Sequence, residues 1–267
     1  MPLIAAHLEG FVLMATRVGA ILLATPWLGS RAIPPQLKIG LTVLISLLLF
    51  PVAGVHGMAV PHGLIPWMLG VGGEVLLGIT VGLMVRFLFA AVSMAGQFMG
   101  LEVGLGLPGL LNPEFGEQAS VLQSFADLLA LLVFLSTDAH HLLLRGLAHS
   151  FHVVPLLGWN FGGSSVEAMV RLSGELWQIA LRIGAPLLAA QFLAKVVLVI
   201  LARAAPQMNV FMVGFPLQIA SGLLMLAFML PVAISGMEDL FGELGTQIVG
   251  ILKLLRGSTF NVQGSTF

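Results

Sequence analysis

Six long apolar stretches, separated by polar or proline- and glycine-rich connections, organise this chain. They run from about Leu8 to Leu28, Ile39 to Val55, Pro66 to Leu101, Val121 to Leu135, Leu176 to Leu201 and Val210 to Ile234. Runs of this length and continuity predict helices rather than alternating strands. A shorter run, Leu142 to Leu157, is short for a span and reads as a re-entrant or interfacial helix. Met237, Leu240, Phe241, Leu244, Ile248, Ile251, Leu252 and Leu255 recur at helical spacing and predict an amphipathic C-terminal helix. Its acidic residues Glu238, Asp239 and Glu243 come early and Lys253 and Arg256 late, an order that suits the helix dipole.

The third stretch is too long for one bilayer. About 35 helical residues at ~1.5 Å each exceed 50 Å, against a hydrocarbon core of ~30 Å. It also carries Gly78 and Gly82, then Gly96, Gly100 and Gly104. Glycines four apart leave a flat strip on one face, where a second backbone can approach closely. That second backbone belongs either to this chain or to another subunit.

Composition turns these helices into membrane helices. Only 9% of the 267 residues are charged and 58% are hydrophobic, and the mean hydropathy is +1.05. A soluble domain carries about 25% charged residues. In lipid every backbone polar group must be paired internally, which leaves helices or closed barrels. A net charge of −1 offers no basic field for nucleic acid. Cysteine is absent, which excludes disulfides, thiol catalysis and cysteine–metal sites. The start of the chain lacks a signal peptide's basic region, and Arg17 interrupts the apolar stretch. Tyrosine is also absent, so Trp27, Trp67, Trp159 and Trp177, all near segment ends, are the expected interfacial anchors.

Arg17, Glu74, Arg86, Asp127, Arg182 and Lys195 fall within or near the apolar segments. A charge at the bilayer centre costs roughly 2.5–3.5 kcal/mol on insertion scales, so these side chains should face protein or water. Three arrangements satisfy that: an ion relay, pairing inside the chain, or contact with other subunits. Loop lysines and arginines divide three against four and set no orientation.

Candidate chemistry is thin. His140-His141, His149-x-x-His152 and nearby Asp138 invite a metal reading, but HExxH is missing, and so is a second carboxylate at ligand spacing. The glycine-rich Gly100 to Gly109 follows a helix, not a strand, which excludes a dinucleotide loop. No Gly-x-Ser-x-Gly elbow occurs. No catalytic group, cofactor or metal is expected, and the chain is not expected to be an enzyme. Gly257 to Phe267 repeats Gly-Ser-Thr-Phe and is set aside as a tail. Residues 1–256 are read as one membrane domain.

The connection from Glu102 to Gln118 is more informative. It holds four glycines, two prolines, four leucines, Phe115 and no basic residue. Irregular apolar backbone is tolerated at membrane depth only when buried in protein or lining a cavity. It is either a buried connection or a flexible apolar gate, since hydrophobic constrictions can close a pore.

Three blocks in order carry a resemblance. The first is Arg17-Val18-Gly19-Ala20 with Pro26-x-x-Gly29-Ser30-Arg31-x-x-Pro34-x-x-x-Lys38-Ile39-Gly40. The second runs from Asn112-Pro113 and Gly116-x-Gln118 through Leu128 to Leu135, then His140-His141-Leu142-Leu143-Leu144-Arg145 and Ser150-Phe151 to Pro155. The third is Arg203-x-Ala205-Pro206-Gln207-Met208-Asn209-Val210-Phe211-x-Val213-Gly214-Phe215-Pro216-Leu217. Together they resemble the FliR/SpaR/YscT family of type III secretion export-gate proteins, the flagellar branch more than the virulence branch.

The resemblance implies an all-α fold of bent helical hairpins within a hetero-oligomeric helical assembly. It implies an N-terminal part like FliP and a C-terminal part like FliQ. It implies FliP and FliQ homologues as partners, an FlhB homologue around them, and exported flagellar proteins as substrates. The place implied is the bacterial inner membrane, at the flagellar basal body. Leu107, Pro108, Gly109, Leu110, Leu111, Phe115 and Gly116 match the family's plug, flanked here by Glu114 and Glu117. The six embedded charges would then face neighbouring subunits. The competing reading is an ion-coupled secondary transporter using Glu74, Asp127 and Arg182 near the bilayer midplane.

Overall fold

The computed structural model describes residues 2–30, 32–51, 63–105, 120–159, 163–204 and 210–256. Among them the regular elements are helices: α1 (Pro2–Ala24), α2 (Pro26–Gly29), α3 (Pro35–Leu49), α4 (Leu64–Val103), α5 (Val121–Ser136), α6 (Ala139–Val153), α7 (Gly163–Ala204), α8 (Val210–Gly242) and α9 (Leu244–Leu255). Among the described residues four helical stretches are long and apolar enough to cross a membrane, or up to five if the bent pair α5–α6 is one span. The chain is an all-α integral membrane protein.

Helix ends follow local chemistry. Pro26 and Pro35 stand at the first position of α2 and α3, where no amide donor is needed. α4 stops where Gly104 takes φ +91°, a left-handed conformation that costs glycine little. Asp138, at φ 55°, turns the chain from α5 into α6, and its carbonyl accepts from the amides of His141 and Leu142. α7 contains Pro186, and α8 contains Pro216 and Pro231, each removing one helical hydrogen bond.

The chain divides into two compact units. The first joins Met1–Phe87, Asp138–Ser173 and Glu243–Phe267; the second joins Leu88–Thr137 and Gly174–Gly242. In the first unit α1 packs on α3, and α9 packs on α6. The glycines of α4 seat α1: a Cβ on Gly78 would lie 2.5 Å from the Ala20 Cβ, and one on Gly82 would meet Ala24. Ile248 of α9 lies over Gly146 of α6.

In the second unit α5 packs on α8. A Cβ on Gly96 would fall 2.7 Å from the Ala126 Cβ, and one on Gly100 would meet Ser120. Phe89, Phe134 and Phe241 form a ring cluster with centroids 5.1–5.4 Å apart. The glycine strip, open to two readings from sequence, therefore serves packing inside the chain.

The boundaries of the apolar stretches hold to within a turn for α4 and α5, α8 runs on past Ile234 to Gly242, and two further expectations change. α7 begins well before Leu176. The C-terminal apolar stripe is not one helix: it breaks at Glu243 between α8 and α9. Met237 and Phe241 belong to the second unit and Leu244 onward to the first.

Candidate functional site

The embedded charges separate into two closed nodes and three open positions. The first node lies in the first unit. Arg17 and Glu74 are both fully buried, with Arg17 Nε donating to Glu74 Oε2 at 2.5 Å. Arg17 Nη1 also donates to the carbonyls of Ser150 (3.2 Å) and Val154 (2.7 Å), and Nη2 to that of Pro155 (3.4 Å). The guanidinium carbon stands 4.7 Å from the centre of the Phe151 ring. Glu74 Oε1 accepts from the Leu157 amide at 2.8 Å.

The node thus ties α1 and α4 to the end of α6 and the turn beyond it. Carbonyls left over at the end of α6 need partners, and arginine's planar fork supplies several donors at once. The same face of α4 makes room for the turn. Leu157 fills the space a side chain on Gly70 would take, and the Trp159 indole that on Gly73.

The second node lies in the second unit. Lys195 Nζ of α7 donates to Glu102 Oε2 at 2.5 Å, with the two side chains 42% and 35% exposed. Gln218 of α8 donates through Nε2 to the backbone carbonyl of Glu102. One turn away, Gln191 Nε2 donates to Ser221 Oγ at 3.3 Å. Gln191 is fully buried, and its Oε1 accepts no hydrogen bond among the described residues. Glu102, Gln191, Gln218 and Ser221 were not among the residues singled out from sequence. Their signal was present as polar positions three or four apart inside apolar runs.

The remaining three charges have exposed side chains: Arg86 in α4, Asp127 in α5 and Arg182 in α7. Large apolar side chains are exposed on α7 and α8 as well, among them Phe192, Ile200, Phe228 and Val232. The apolar window of α4 is 61% buried, but those of α7 and of Met212–Leu255 are only 17% and 11% buried.

Asp138, His140 and His141 bring one ligand atom each to within 4.8 Å of one another. His141 Nδ1 lies 3.1 Å from Asp138 Oδ1, and both side chains are more than half exposed. That pairing belongs to the turn into α6 and accounts for the grouping without an ion. The rings of His149 and His152 stand 6.4 Å apart on α6. The plug residues Leu107, Pro108, Gly109, Leu110, Leu111, Phe115 and Gly116 lie outside the described residues, as does the tail after Arg256.

Residues 8–244 match the family model described as bacterial export proteins, family 1. Curated relatives named flagellar biosynthetic protein FliR are similar over most of their length. That of Pectobacterium carotovorum subsp. carotovorum is 31% identical over 242 residues, covering 91% of this chain and 92% of the relative. That of Bacillus subtilis (strain 168) is 32% identical, covering 86% and 90%, and that of Escherichia coli (strain K12) is 29% identical, covering 90% and 91%.

Proposed function

This chain belongs to family 1 of the bacterial export proteins, and on that premise we propose that it is a structural, channel-forming subunit of the flagellar type III export gate. As a member it is a membrane component of the flagellar export apparatus. The finer reading places it in the bacterial inner membrane at the basal body, assembled with FliP and FliQ homologues and enclosed by an FlhB homologue. There it passes unfolded flagellar proteins, with the segment around Leu107 to Gly116 closing the pore.

The observation that carries this reading is the surface of α7 and α8. Both helices are sparsely covered by their own chain, and Arg182 stands exposed on α7. Lipid is a poor solvent for a charge at membrane depth. A neighbouring subunit that covers apolar surface and also answers the charge satisfies both demands. Arg86 extends the same demand to α4.

The transporter alternative needs Glu74 as a titrating carboxylate. Both Glu74 oxygens are instead taken, one by Arg17 and one by the Leu157 amide.

Native mass spectrometry of this chain, co-expressed with FliP and FliQ homologues in detergent, tests the proposal. A discrete hetero-complex containing the chain is the expected result. A stable lone protein that retains neither partner overturns it.

A further inference from the structure

A line of polar side chains runs through the apolar helices of the second unit. Gln191 and Lys195 are one turn apart and share a face of α7, and Gln218 and Ser221 share a face of α8. They meet the last turn of α4, where Glu102 is held twice, through its carboxylate by Lys195 and through its carbonyl by Gln218. One residue beyond that turn the helix stops at Gly104, where an added Cβ would lie 3.5 Å from the Phe215 ring.

Two features separate this node from the Arg17–Glu74 pair. It is partly exposed, at 42% and 35% against 0% for both partners of the other pair. Opening it therefore strands no charge in a dry interior, where the penalty is severe. It also has a second acceptor at hand. Gln191 Oε1 is buried with no hydrogen bond among the described residues, a costly condition in apolar surroundings. It sits one turn before Lys195 on the same face, so the lysine's flexible stem and rotatable ammonium can serve either acceptor.

We propose that Glu102 and Lys195 form a latch that positions the last turn of α4, with Lys195 exchanging between the Glu102 carboxylate and Gln191 Oε1. The proposal deepens the export-gate reading and rests on it, because α4 leads directly into the segment assigned there to closing the pore. Lys195 on Glu102 holds the helix end and keeps the pore shut. Lys195 on Gln191 satisfies the orphaned amide, frees the Glu102 side chain and lets the end of α4 move. Two alternative acceptors for one ammonium, a carboxylate and an amide oxygen otherwise left without a bond, make a two-state element whose populations a translocating chain can bias by differential contact. Glu102 and Lys195 are positioning residues and need not touch the exported chain.

The test is the resting conductance of the complete gate, this chain with its partner subunits, in planar bilayers. Glu102→Gln keeps side-chain length, and Lys195→Met keeps an unbranched apolar stem without the ammonium. Each is expected to raise resting conductance about tenfold, the equivalent of ~1.4 kcal/mol of lost bias toward the closed state. The exchange Glu102→Lys with Lys195→Glu is expected to restore the tight state, an outcome that packing alone would not produce. Gln191→Leu, which removes the second acceptor, is expected to make openings rarer.

Deletion of Gly106 to Gly116 runs in parallel. If the deletion leaks while both single variants stay tight, the latch is overturned and the pore reading stands. If the deletion is also tight, the pore reading falls and takes the latch with it. If the single variants leak and the exchange does not restore closure, the leak comes from lost packing and the latch is overturned.

Discussion

Arg17 and Glu74 close a fully buried ion pair at 2.5 Å, and each uses its remaining hydrogen-bonding capacity on the segment that leaves α6. The pair sits 57 residues apart in sequence and joins three helices. Its worth is geometric as much as energetic: a buried ion pair adds little net stability but is expensive to break.

Removing one partner of this pair is therefore expected to be severe. Glu74→Ala leaves the guanidinium buried with only carbonyls and a ring, at a cost of about 3–5 kcal/mol. Replacing both partners together, Arg17→Met with Glu74→Leu, should recover most of that loss. Thermal unfolding of the detergent-solubilised protein measures both. A Glu74→Ala variant as stable as the parent would show that the node is not structural.

The glycine strip makes a paired prediction. Gly78→Ala puts a methyl 2.5 Å from the Ala20 Cβ and 2.8 Å from the Arg17 carbonyl, so α1 and α4 must separate. Gly72, on the same helix, has nothing within 4 Å of an added Cβ. Gly72→Ala should be neutral or stabilising by up to ~1 kcal/mol through helix propensity, while Gly78→Ala destabilises. Equal melting shifts for the two would rule out close packing at Gly78.

The helix α9 is held to α6 largely by buried aliphatic residues. Ile248 is fully buried and its side chain lies about a methyl's width from Gly146. Ile248→Ala should cost roughly 2–5 kcal/mol. Limited proteolysis after α8 reads this directly: faster release of the C-terminal fragment is expected, and an unchanged rate would mean that α9 is anchored by something else.

The exposed charges should matter to assembly rather than to the fold. Arg86→Ala and Arg182→Ala are expected to insert in the membrane normally and to lose partner subunits on purification. Yields of the chain alone and of the hetero-complex, measured side by side, decide it. A normal complex yield from both variants would remove these residues from the interface.

The extent of what can be read from sequence follows from which forces act locally. Apolar runs of helical length, few charges and no cysteine were enough for an all-helical membrane chain, because lipid leaves a backbone so few ways to satisfy its hydrogen bonds. The excess length of α4 and its glycine strip were visible for the same reason: both are properties of one helix. The three motif blocks were likewise legible as linear order.

What the sequence could not decide was which partner each embedded group meets. Arg17, Arg86 and Arg182 look alike in their apolar stretches, yet one is sealed against Glu74 and two stand exposed. Glu102 reads as the start of a loop, and only the convergence of α4, α7 and α8 makes it the acceptor of Lys195. The amphipathic stripe from Met237 to Leu255 looks continuous, yet the break at Glu243 deals its residues to two different units. Each of these outcomes depends on a neighbour distant in sequence, and periodicity along one helix carries information about a face, not about what covers it.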